Sequence, residues 1–284
     1  MRVYRQSFFS KLYGLQRDIR KSIKEAKVST CASSAAFFLF LSIFPSIMLV
    51  SGLLPYDVIS GRNALNISQA VIPEKVYGFL MGIAGSCNGS NMTLMSVSAL
   101  VVIWSASRGV LALIRGLNHI YAADEPVNDI VLRLKAAFYT VLLLLAGFLF
   151  AGLIVFGNAI VNRLAADNEV LSRLWRVAGV FRHILAAGAM SVVFCTMYGI
   201  LPDNRLTWRE NYPGAVFTSV FWTLYSFGFS VYVDYFGGFS MYGSLTAIII
   251  VMIWLYFCMY IFFCGALVNK WIAEGYIDDY MQML

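Results

Sequence analysis

The chain has 284 residues, 60% of them hydrophobic and 13% charged, and a formal net charge of +6. Soluble domains carry about a quarter of their residues as charged groups, so this composition excludes an ordinary water-soluble fold and makes the bilayer the main solvent. Five cysteines without a CxxC pair and only two isolated histidines, His119 and His183, exclude the usual zinc-ligand spacings; no metal and no cofactor are expected.

Residues 1–28 form a basic amphipathic segment. Phe8, Leu12, Leu15, Ile19, Ile23 and Ala26 recur at three-to-four spacing, while Lys11, Arg17, Lys21 and Lys24 fall largely elsewhere around the turn. The pattern predicts a helix lying on the membrane surface, its cations each gaining about 1 kcal/mol from anionic cytoplasmic lipid. The same flank also reads as a plain topology signal. Nothing in it resembles a cleaved signal peptide.

A spanning helix needs ~20 mostly apolar residues. Six segments qualify, at 29–54, 92–114, 136–160, 183–201, 213–236 and 244–269, forming a membrane domain over 29–272 with a short acidic tail at 273–284. The predicted fold class is all-α, a polytopic membrane protein with six transmembrane helices and an N-terminal interfacial helix. Charge bias tests the count. With six spans and a cytoplasmic N-terminus, 15 Lys and Arg lie inside and 6 outside; omitting the second span gives 12 against 9. The positive-inside rule therefore favours six spans and cytoplasmic termini. The external loop between the first two spans carries a Gly-rich apolar stretch at 73–90, which predicts a short helix lying at the outer interface or dipping into it.

Within the first span Pro45 removes a backbone donor, which either kinks the helix or serves packing. In the second, Arg108 and Arg115 are seven residues apart and share a face near Ser105, Ala112 and Asn118. Arg108, Arg115 and Asn118 are candidate contacts for an anion or lipid headgroup; the plainer alternative is snorkelling to the inner interface, since Arg108 lies about 24 Å from Met92 at ~1.5 Å per residue. Pro213 falls at the expected first turn of the fifth span, where a missing N–H costs little. That span presents Trp222, Tyr225, Phe229, Tyr232 and Phe236 at helical spacing, which would line an acyl-chain groove or pack against neighbours. Gly147 and Ala151, and Gly265 and Ala266, read as close helix contacts.

Four blocks, SSAAFFLFLSIFPSI at 33–47, IWSASRGVLALIRGLNHIY at 103–121, GILPDNRLTWRENYPGA at 199–215 and MYGSLTAIIIVMIWLYFCMYIFFCGALVN at 241–269, resemble the YihY/BrkB family of bacterial inner-membrane proteins. The resemblance runs nearly end to end and implies a six-helix inner-membrane protein of poorly defined activity. Members have carried the label ribonuclease BN, yet two isolated histidines offer no cluster to hold catalytic ions. No catalytic residue, no nucleic-acid partner and no ATP-binding phosphate loop are expected. The expected role is the handling or translocation of lipid or another amphiphile in the envelope, with anionic lipids at the cytoplasmic face as partners. The alternative is a non-transporting scaffold that recruits envelope proteins through residues 8–27 or the external loop.

Overall fold

Long apolar runs satisfy their own backbone hydrogen bonds as helices, and helices and turns account for nearly all of the described chain, with no strand among the described residues. The structure, a computed structural model, describes residues 17–53, 82, 92–122, 130–142, 182–203, 206–235 and 244–276. The helices are α1, Arg17–Glu25; α2, Val28–Leu53; α3, Met92–Ile120; α4, 130–142; α5, Arg182–Ile200; α6, Trp208–Tyr235; and α7, Ser244–Ala273. Lys11, most of the 136–160 segment, the 73–90 stretch apart from Gly82, Gly147, Ala151, Phe236 and the tail beyond 276 lie outside the described residues.

Three helical stretches among the described residues are long and apolar enough to cross a membrane: Ser96–Ile120, Trp208–Val233 and Ile248–Ala273. A fourth arises if α1 and the Val28–Ile43 part of α2, which meet at 50°, count as one span. The bend sits at Lys27, whose φ of 48° is left-handed. Such a residue ends one helix, and the chain resumes at once as the next, with the Cys31 amide bonding the Lys27 carbonyl.

Packing centres on α7, which touches α2, α3 and α6; α2 packs along α3, and α5 along α6. Small residues set how closely they approach. Ala32, Ala35 and Ala36 are buried in α2, and Gly116 of α3 lies so near α7 that a Cβ there would stand 2.4 Å from the Phe263 ring. Gly214 of α6 and Gly265 of α7 cross backbone to backbone, a Cβ at Gly214 falling 2.2 Å from the Gly265 carbonyl. Gly265 and Ala266 are thus contact points, as small residues are in membrane bundles.

One expectation is corrected. Pro213 does not occupy the first turn of its helix: α6 begins at Trp208, so Pro213 lies in the second turn. The earlier start has a local cause, because the backbone N–H and hydroxyl of Thr207 both donate to Glu210 Oε2 at 2.7 Å, capping the helix over polar residues that look like loop. Ser105, three residues from Arg108, is fully buried and donates back to the Val101 carbonyl at 2.7 Å. α2 stays helical on both sides of Pro45, whose ring is half-buried.

Candidate functional site

From Val97 to Arg115 one face of α3 is largely exposed and changes character along the way. Val97, Val101 and Trp104 are 54%, 40% and 55% exposed, and the same stripe continues to Arg108 and Arg115, both exposed. The Arg108 guanidinium stands 5.1 Å over the Trp104 ring and 5.7 Å over the Phe38 ring of α2, a cation held by aromatic faces. α3 runs twelve residues beyond Arg108 to Ile120, or about 18 Å at ~1.5 Å per residue. At 29 residues, or about 43 Å, it is longer than a hydrocarbon core of ~30 Å.

Asn118 points elsewhere. Its Nδ2 donates to Asp203 Oδ2 at 2.7 Å, and the Asp203 amide donates to Asn118 Oδ1 at 2.8 Å. Lys135 of α4 pairs with the other Asp203 oxygen, both side chains being about one-quarter exposed. The Asp203 carboxylate therefore ties α3, α4 and the turn after α5 into one half-buried polar joint. Sequence reading selected Asn118 and missed both partners, since 85 residues separate Asn118 from Asp203.

A second polar joint lies within the bundle. The Tyr198 hydroxyl of α5 donates to the Phe262 carbonyl of α7 at 2.7 Å and lies 2.7 Å from Thr218 Oγ1 of α6. With the tyrosine proton directed at the carbonyl, Thr218 donates the second bond. Asn269 of α7 accepts from the Gly214 amide at 2.6 Å and lies against Tyr121, just past α3, whose hydroxyl is pushed well above its ordinary pKa by burial and stays protonated. A lone Asn inside the apolar run GALVNKW was the available signal.

The aromatic residues of α6 divide between two faces. Trp222 and Phe229 are buried, Trp222 packing edge-on to Trp254 of α7 and against Phe194 of α5. Tyr225 lies at a tilt against Phe257 of α7, ring centroids 5.4 Å apart, whereas Tyr232 is 50% exposed. Of the anchor cations, Arg17, Lys21 and Lys24 are exposed on α1, while Ile23 packs toward the core.

An all-helical membrane protein whose helices are joined by buried polar contacts is the class these features define. The chain matches the family described as Virulence factor BrkB over residues 19–280 and belongs to it. It is similar to a ribonuclease-like protein, YfkH, of Bacillus subtilis (strain 168), with 32% identity over 241 residues covering 84% of this chain and 87% of the relative. A UPF0761 membrane protein of Photobacterium profundum is 25% identical over 90% of this chain and 80% of its own length. Another, of Pseudoalteromonas translucida, is 25% identical over 76% of this chain and 68% of its own length. No solved structure matches the chain.

Proposed function

We propose that this chain is a six-span protein of the bacterial inner membrane, with cytoplasmic termini, that handles or translocates lipid or another amphiphile and catalyses no reaction on it. The observation that carries this reading is the α3 stripe, where exposed Val97, Val101 and Trp104 give way to exposed Arg108 and Arg115. An apolar track ending in cations complements an acyl chain ending in an anionic headgroup, and a lipid-facing cation within a span is costly unless an anion, water or ring meets it. Supporting the even number of spans, residues before α2 and at the end of α7 line one cavity, so both lie at the same end of the bundle. The excess of Lys and Arg in the predicted inner segments favours the cytoplasm for that end.

The test is movement of a fluorescent anionic phospholipid between leaflets of vesicles containing the purified chain. Wild type is expected to accelerate exchange, and Arg108→Ala/Arg115→Ala to slow it about tenfold, equivalent to about 1.4 kcal/mol in the barrier. No exchange by wild type, together with reproducible protein crosslinks at residues 8–27 or 60–90, would move the reading to the scaffold. Ribonuclease activity that survives purification and disappears on one substitution would overturn the non-catalytic reading.

A further inference from the structure

The span Ser96–Ile120 has 25 residues, and Arg108 lies at its middle, twelve residues from either end, or about 18 Å at the rise of an α-helix. Arg115, seven residues on, is about 10 Å nearer the end of α3 that meets α1, where His119 and Ile120 line one cavity with Ser22 and Glu25. Snorkelling toward that end would carry the Arg108 guanidinium along α3 in the direction of its C-terminus. The side chain takes the opposite course. Its guanidinium folds back one turn and stands 5.1 Å over the Trp104 ring, the direction in which helical side chains leave their backbone. The charge is therefore held at least as deep as the Arg108 Cα.

α2 closes one flank of this position, since a Cβ at Gly109 would stand 3.2 Å from Leu39 Cδ2. Phe38 of the same helix gives the guanidinium its second ring, at 5.7 Å. Rings steady a cation without neutralising it, and among the described residues no carboxylate pairs with Arg108. The arginine remains exposed. Its fork of N–H donors suits a phosphate, which it can meet with two parallel bonds. The approach to it decides which phosphate. Val97, Leu100, Val101 and Trp104 leave the neighbouring surface exposed and apolar, which suits an acyl chain and offers a hydrated free anion no polar path.

We infer that Arg108 is a mid-membrane contact for the phosphate of an anionic lipid headgroup as it crosses between leaflets, with Arg115 the contact nearer the inner surface. This step rests on the translocation reading and adds to it a substrate class, lipids of net negative charge. A zwitterionic headgroup brings its own cation to Arg108 and gains less there.

The full chain is reconstituted into vesicles, and exchange between leaflets is read for phosphatidylglycerol, which is anionic, and phosphatidylcholine, which is zwitterionic, with the same fluorophore on the acyl chain of each. Wild type is expected to exchange phosphatidylglycerol about tenfold faster, and Arg108→Ala to lose that preference, which a merely structural role would leave in place. No exchange of either lipid by wild type would end the translocation reading and this step with it; equal exchange of both would end this step alone. Trapped inorganic phosphate separates the sources. Its release from wild-type vesicles but not from Arg108→Ala vesicles, without a lipid preference, assigns the cation to a free anion and overturns the lipid assignment. Depth is read on its own, from a nitroxide on Arg108→Cys in a chain whose five native cysteines are replaced, by relaxation with oxygen and with a water-soluble nickel complex. A position at least ~10 Å below the lipid phosphates is expected within a hydrocarbon core of ~30 Å. A label at phosphate level overturns the proposal whatever the vesicles show.

Discussion

A Cβ at Gly265 would stand 1.9 Å from Thr218 Oγ1 and 2.6 Å from the Tyr198 hydroxyl, with the Gly214 carbonyl at 2.8 Å, so nothing soft can yield. Gly265→Ala is expected to cost about 1–3 kcal/mol, the usual penalty for overpacking, read as a lowered thermal midpoint in detergent. Gly188→Ala, with nothing within 4 Å of the added carbon, is the matched control and should leave the midpoint within error or raise it slightly. Lys27 presents the opposite case. Its left-handed φ of 48° disfavours a side chain, so Lys27→Gly should stabilise the α1–α2 joint by about 1 kcal/mol, measured by slower amide hydrogen exchange around residues 26–31.

The helix of α6 depends on a cap that its sequence announces only faintly. Thr207→Ala removes the hydroxyl bond to Glu210 and is expected to cost about 1 kcal/mol, detected as fraying of 208–212 in hydrogen exchange. The four-residue pattern TWRE at 207–210 is a capping-box signal, and it explains why α6 starts five residues before the apolar run does. Apolar length made the bounds of α2, α5 and α7 legible to within a few residues, because an apolar run closes its own backbone hydrogen bonds as a helix. α3 is longer than its apolar core because Arg115, Asn118 and His119 remain helical beyond it. The joints between helices were not legible: Asn118 meets Asp203, and Asp203 meets Lys135, only through tertiary packing. A double-mutant cycle of Lys135→Ala and Asp203→Ala should return a coupling of about 1 kcal/mol, modest because both groups remain partly hydrated.

For the whole molecule, the shared cavity between α1 and the end of α7 fixes a relation between distant segments of the chain. In a variant with the five native cysteines replaced, Lys21→Cys and Glu274→Cys are expected to react with an impermeant thiol reagent from the same side of the membrane. Labelling from opposite sides would require an odd number of crossings and would sink the six-span reading. The Tyr198 hydroxyl has a consequence under load. One oxygen is bonded to both α6 and α7, so the last three described helices meet at one common fastening point, beside the Gly214–Asn269 bond that joins α6 to α7. Drawn out of a bilayer from its C-terminal end by a cantilever, α7 should bring α6 and α5 with it in one rupture event. In Tyr198→Phe that event should fall in force, with α5 the first to part, because the Gly214–Asn269 bond still joins α6 to α7.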